Sequence, residues 1–259
     1  MDLGLKGRHA IICASSKGLG KACAIALADE GCSVTLNGRT KETLESTAKE
    51  ITDRCHVEVN VVVADVSTFE GQNELLKKCP QPDILINNNG GPPLRDFKEL
   101  DRNKILSGIT QNMVTPIELI QAVIDGMRER KFGRIINITS TSIYAPILGL
   151  DLSSGARAGL TSFLAGIART VVRDNVTINN LLPGPFATDR LLKTFNVNGG
   201  KENSINHDLI EERKKQNPAQ RFGEPDEFGH ACTFLCSEKS GFITGQNIIL
   251  DGGAYISAF

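Results

Sequence analysis

The chain has 259 residues, 40% hydrophobic and 23% charged, with a formal net charge of −1. That size and balance suit one globular domain with a large core, and the near-neutral charge offers no electrostatic case for nucleic acid or an anionic membrane as partner. No apolar run reaches the roughly 18 residues of a membrane span, and Met1-Asp2-Leu3-Gly4-Leu5-Lys6 lacks a secretory apolar segment, so the cytoplasm is the expected location.

In chain order, apolar strand-like runs are expected at 10–13, 33–36, 57–63, 84–86, 134–138, 177–182 and 247–250. The first of them passes through a small, polar turn into a helical pattern carried by Ala22, Ala24, Ile25, Leu27 and Ala28. Further helical patterns occupy 42–53, 69–79, 104–130, 156–172 and 226–237. Regular alternation with near-continuous apolar strands argues a parallel sheet covered on both faces. With right-handed crossovers this becomes a single doubly wound α/β domain of Rossmann type spanning 1–259, its central sheet mostly parallel and of about seven strands.

The stretch 183–217 is irregular and reads as a surface insertion, with 186–217 a candidate mobile lid. Its Phe186, Leu191, Leu192 and Phe195 suit either an apolar cover or a helix burying one face. Seven cysteines, Cys13, Cys23, Cys32, Cys55, Cys79, Cys232 and Cys236, form no Cys-x-x-Cys. Cys232 and Cys236 stand one helical turn apart and could share a metal. The cysteines fall mostly inside strand or helix patterns, where a thiol acts as a small apolar residue, so no metal site is expected.

Three places carry chemistry. The turn Lys17-Gly18-Leu19-Gly20 leaves free N–H groups at a helix start, where they and the helix dipole attract phosphate. After the second strand comes Gly38-Arg39, where a dinucleotide fold that prefers NAD usually has a carboxylate. Arg39 and Lys17 can flank a 2′-phosphate, which favours NADP(H) over NAD(H). Asp65, with Val66 beside it, ends the third strand and can accept from an adenine amino group, cap the next segment, or do both. The fourth strand ends in Asn87-Asn88-Asn89-Gly90-Gly91, at the sheet edge where ligands bind.

These motifs together resemble the short-chain dehydrogenase/reductase family along nearly the whole chain. The family turn Thr-Gly-x-x-x-Gly-x-Gly is similar to 13–20, with its first glycine changed to Ala14. Its Asn-Asn-Ala-Gly is similar to 87–90, its helix asparagine to Asn112, and its serine strand to 133–140. Its Asn-x-x-x-Pro-Gly and C-terminal signature are similar to 179–184, 221–225 and 244–253. Within the family the chain most resembles 3-oxoacyl-carrier-protein reductases.

The resemblance implies cofactor contacts from Ser15, Ser16, Lys17, Gly18, Leu19, Gly20, Arg39, Asp65, Val66, Asn88, Asn89, Gly90, Arg157, Pro183, Gly184, Phe186 and Thr188. It also implies catalytic roles for Asn112 and Ser140. The family tyrosine and lysine positions, counted from Ser140, hold Ser153 and Arg157. A serine hydroxyl hydrogen-bonds but ionises poorly, and arginine keeps charge without releasing a proton. Tyr144 could supply a proton from another direction or simply wall the pocket.

The implied function is hydride transfer between NADP(H) and a small alcohol or carbonyl through an atypical active site. A catalytically silent NADP(H) sensor or partner protein, and a non-redox enzyme using the same pocket, are the alternatives. Family members form homodimers or homotetramers, and an apolar tail from Tyr255 to Phe259 is expected at such a contact.

Overall fold

The computed structural model describes residues 1–195 and 206–257. Seven strands, β1 (His9–Ile12), β2 (Ser33–Gly38), β3 (Val59–Val63), β4 (Ile84–Asn87), β5 (Gly133–Ile138), β6 (Val176–Pro183) and β7 (Asn247–Leu250), form one sheet in the order β3-β2-β1-β4-β5-β6-β7. Every adjacent pair is parallel. The order reverses between β1 and β4, so the connections on either side leave a crevice at their carboxyl ends.

Strand alternation divides the core between the two faces. On β1, Ala10 and Ile12 join a cluster containing Cys23, Leu27, Phe228 and Cys232. These come from α1 (Gly18–Asp29) and α9 (Pro225–Cys236). Ile11 and Cys13 point the other way, toward Leu119, Val123, Leu160 and Leu164 of α5 (Thr115–Glu129) and α6 (Asp151–Val171). α2 (Lys41–Arg54) and α3 (Phe69–Lys78) complete the layers at the β3 end. All seven cysteines are buried free thiols. Gly229 lets α9 lie against α1, since a Cβ there would stand 2.6 Å from the Ala22 carbonyl oxygen.

Two helical expectations change in detail. The run expected at 104–130 is α4 (Arg102–Ile109) and α5, joined by a π-helical turn at Thr110–Val114. Pro116 explains the widened turn: it has no N–H to return to the carbonyl one turn back. The helix expected from 156 starts at Asp151, which places Ser153 on α6. The stretch read as an irregular insertion holds α7 (Asp189–Lys193) and α8 (His207–Lys215). Part of the expected lid, 196–205, and the last two tail residues, Ala258 and Phe259, lie outside the described residues.

Candidate functional site

The turn after β1 is tight because its glycines allow it. Ala14 has a φ of 46° and Gly18 one of 56°, both left-handed. At Gly20 a Cβ would lie 2.4 Å from the Ala14 carbonyl oxygen and 2.8 Å from Asn88 Nδ2. Lys17 precedes α1 without capping it, and no acidic residue stands in the first turn, so the helix-start N–H groups meet no side-chain acceptor.

Ser15 corrects an expectation. It is fully buried, its hydroxyl accepts from Asn37 N at 3.0 Å, and its own N–H donates to Asn37 O at 2.8 Å. Ser15 therefore ties β1 to β2 and has no side-chain group to offer a dinucleotide. Ser16 accepts the Thr47 hydroxyl on its carbonyl at 2.9 Å.

Arg39 is largely exposed, 3.9 Å from Asp65. Burial alone would raise the Asp65 carboxyl; the Ser67 hydroxyl and N–H, with Arg39, outweigh it and hold the group below its ordinary 3.8. Asp65 does not cap α3: Thr68 does, accepting from Gly71 N, while Asp65 closes a turn on Ser67. Lys17 stands 4.0 Å from Asp189. Val66 is buried.

A cleft of ≈ 440 Å³ opens at the carboxyl ends of β1, β4, β5 and β6. It brings together Lys17, Gly18, Leu19, Asn88, Asn89, Gly90, Ser140, Ser153, Arg157, Pro183, Gly184, Phe186 and Thr188. Asn88 Nδ2 donates to Ala14 O at 3.3 Å, and Asn89 Nδ2 to Gln111 O at 3.0 Å, which fixes the β4 loop. At Gly184 a Cβ would collide with Asp251 Cβ at 2.5 Å, so β6 leaves the sheet close to the turn after β7. Phe186 is a core residue rather than a lid cover. It is buried, edge-on to Phe228 with ring centroids 5.4 Å apart. Thr188 caps α7, its hydroxyl accepting from Leu191 N.

Arg157 lies inside the wall of the cleft, 8% exposed. Its Nε donates to Ser153 Oγ at 3.2 Å, Nη1 to Ile138 O at 2.6 Å, and Nη2 to Asn89 O at 3.2 Å. One guanidinium thus joins α6 to the ends of β4 and β5. Burial, with Arg190 nearby, lowers its pKa to about 10, so the cation persists at neutral pH. Ser140 accepts from Ser142 N at 3.1 Å.

Behind Arg157 is a second cavity of ≈ 20 Å³, about the room of one water, lined by Val66, Asn87, Asn88, Asn89, Asn112 and Thr115 among others. The π-helical turn aims Asn112 into it. Asn112 Nδ2 donates to Gly108 O at 3.2 Å, while Asn112 Oδ1, Asn87 Oδ1 and Thr115 Oγ1 have no protein partner.

Tyr144 does not line the cleft, which corrects its place among the catalytic candidates. An amide ladder crosses four strands: Asn87 Nδ2 donates to Asn137 Oδ1 at 3.0 Å, Asn137 Nδ2 to Asn180 Oδ1 at 3.0 Å, and Asn180 Nδ2 to Asn247 Oδ1 at 2.8 Å. Asn247 Nδ2 then donates to the Tyr144 hydroxyl at 2.6 Å, and the Tyr144 ring lies 5.5 Å from that of Tyr255. The tyrosine is thereby drawn to the β7 edge.

Sequence reasoning missed Thr139, Asp189, Arg190 and Thr194, which also line the cleft. A cation beside Thr188 in a stretch read as apolar cover was the available signal for Arg190.

The fold agrees with that of known proteins. The family described as enoyl-(acyl carrier protein) reductase matches residues 13–255. The NADPH-dependent reductase BacG of Bacillus subtilis is 33% identical over 95% of this chain and 97% of its own length. The 3-oxoacyl-[acyl-carrier-protein] reductase FabG of Aquifex aeolicus is 27% identical over 98% of this chain and 100% of its own. Among solved structures, L-sorbose reductase from Gluconobacter frateurii complexed with NADPH and L-sorbose superposes with a TM-score of 0.91 at 28% identity, covering 99% of this chain and 100% of that one. The chain belongs to the short-chain dehydrogenase/reductase family.

Proposed function

We propose that the protein is an NADP(H)-dependent oxidoreductase that moves hydride between the nicotinamide and a small alcohol or carbonyl, with Ser153 and Arg157 in place of the family tyrosine and lysine. The observation that carries this reading is the bond from Arg157 Nε to Ser153 Oγ at 3.2 Å on the wall of the cleft. The relatives described as NADPH-dependent reductases support the cofactor and the reaction class. The residues present fit the dinucleotide. The uncapped start of α1 faces the cleft, and a Cβ on Gly90 would meet nothing within 4 Å. Lys17, Gly18, Leu19 and Gly20 would hold the pyrophosphate. Arg39 would hold the 2′-phosphate, and Asp65 and Val66 would serve the adenine. Asn88, Asn89, Gly90, Pro183, Gly184 and Thr188 would serve the nicotinamide end.

When bound, NADP(H) supplies or accepts the hydride. The protein manages the oxygen. Ser153 Oγ accepts from Arg157, and Ser140 Oγ accepts from Ser142 N, so each hydroxyl retains a proton to donate. Two such donors beside a buried guanidinium stabilise a developing oxyanion without a phenol. Arg157 cannot release the proton, so the final proton comes from water. Asn112 holds the polar cavity behind Arg157. α7 covers the substrate end, and the protein works as a cytoplasmic homodimer or homotetramer.

A catalytically silent NADP(H) binder is the second reading, favoured by the position of Tyr144 and of its ring neighbour Tyr255 at the β7 edge. Fluorescence titration should show NADPH binding tighter than NADH, and Arg39→Ala should remove ~10-fold or more of that preference, the worth of one charge-assisted contact. NADPH oxidation across a panel of carbonyl compounds then decides between the readings. Tight binding with no turnover on any of them selects the silent binder, and NADH binding tighter than NADPH refutes the cofactor assignment.

A further inference from the structure

Arg190 reaches across the cleft from α7. Its Nη2 donates to Gly91 O at 3.3 Å and Pro92 O at 3.4 Å, on the loop after β4. These are long for bonds from a cation, which settle near 2.7–2.9 Å on an anionic oxygen. A Cβ placed on Gly91 would lie 3.1 Å from Arg190 Nη2, 3.3 Å from Nη1 and 3.5 Å from Ser153 Oγ. The guanidinium and the serine hydroxyl therefore border one point. Arg157 holds that same hydroxyl, and the charge of Arg190 is felt at Arg157. Among the described residues neither guanidinium is paired with a carboxylate, and the neighbouring Asp189 is turned to Lys17. Two cations thus share one cleft wall with only carbonyl and hydroxyl oxygens against them.

We propose that Arg190 anchors the carboxylate of the substrate, and that the protein acts on short 2-oxo acids and the matching 2-hydroxy acids. This rests on the oxidoreductase reading above. An arginine fork takes a planar carboxylate through two parallel bonds, and Arg190 would exchange two weak carbonyl contacts for them. Ser153 Oγ and the Arg190 guanidinium border the same point beside Gly91, so one short molecule can set its carbonyl oxygen at Ser153 and its carboxylate at Arg190, and a 2-oxo acid is the shortest that carries both. Thr188 and Asp189 stand against Gly18 and Lys17 of the glycine turn, whereas Arg190 is turned to Gly91 and Pro92 and borders Ser153, the hydroxyl assigned to the substrate oxygen. In the reducing direction hydride from NADPH bonds to C2, the carbonyl π pair moves to oxygen, and a proton from water completes the 2-hydroxy acid and releases NADP⁺.

Oxalate, a planar stand-in for a 2-oxo acid, is titrated calorimetrically into the full-length protein, free and with NADP⁺. Wild type, Arg190→Met and Arg190→Lys are compared, and NADPH affinity is measured for each. Arg190→Met should weaken oxalate ~10–100-fold, the worth of a hydrogen-bonded charge. Arg190→Lys should restore part of that loss, and NADPH affinity should stay within about 3-fold, because Arg190 contacts the loop after β4 rather than the glycine turn. In turnover, the preference of wild type for pyruvate over methyl pyruvate should vanish in Arg190→Met, mainly through KM. Equal oxalate affinity in wild type and Arg190→Met overturns the proposal, as does wild-type turnover of the ester as efficient as that of the acid. Failure of NADPH binding would overturn the oxidoreductase reading instead, and the titration of the free protein would still decide the role of Arg190.

Discussion

Ala14 keeps a left-handed backbone, with φ at 46°, at the position where the family turn has glycine. The turn has no freedom to relax, because the Ala14 carbonyl oxygen stands where any Cβ on Gly20 would go. An L side chain in that conformation costs about 1–2 kcal/mol, partly offset by the greater chain entropy that glycine loses on folding. Ala14→Gly should therefore stabilise the protein by about 0.5–1 kcal/mol, read as a higher urea midpoint at unchanged m-value. A lower midpoint would show that the Ala14 methyl contributes packing that outweighs the strain. The sequence displayed the alanine but not its backbone angle. Ser153 and Arg157 were singled out by counting from Ser140 along the family pattern, and helical spacing then sets them one turn apart on α6. Ser15 and Tyr144 were not legible, because their side chains are claimed by Asn37 and Asn247, partners distant in sequence.

The strands themselves were readable to within about two residues, since buried parallel strands are short continuous apolar runs bounded by turns. The polar line through them was not. Asn87, Asn137, Asn180 and Asn247 look like unrelated loop or strand asparagines until register places each opposite the next. Their amides then run in one direction from the inner cavity to Tyr144. Asn137 is an interior member, 1% exposed, donating to Asn180 and accepting from Asn87. Asn137→Leu would leave the Asn180 oxygen unpaired and the Asn87 amide with only the 3.4 Å contact to Pro116 O. Removing one partner from a buried network exposes the desolvation cost of those left, so a loss of about 2–4 kcal/mol is expected in urea denaturation. A loss below about 1 kcal/mol would mean that the ladder is not coupled. The π-helical turn was hidden for a related reason: an apolar helical period continues through it, and only Pro116 marks the missing donor.

At the scale of the molecule, two of the exposed apolar groups suit contacts with further copies of the chain. Phe242, in the chain before β7, and Ile256, after it, are fully exposed, and Phe234 of α9 is partly so. Among the described residues β7 pairs with β6 alone and leaves an open sheet edge. A second group, Ile105, Leu106, Val114 and Phe163, lies along α4, the π-helical turn and α6. Burying one such face gives a dimer and burying both gives a tetramer, because each closes on a two-fold axis with its own copy. Light scattering at micromolar protein should therefore give two or four times the chain mass. Phe242→Asp should lower that mass by one step of assembly, since a charge set against its own copy in a dry contact costs several kcal/mol. A wild-type mass equal to one chain would refute the expectation, and an unchanged mass in Phe242→Asp would move the contact to the helical face.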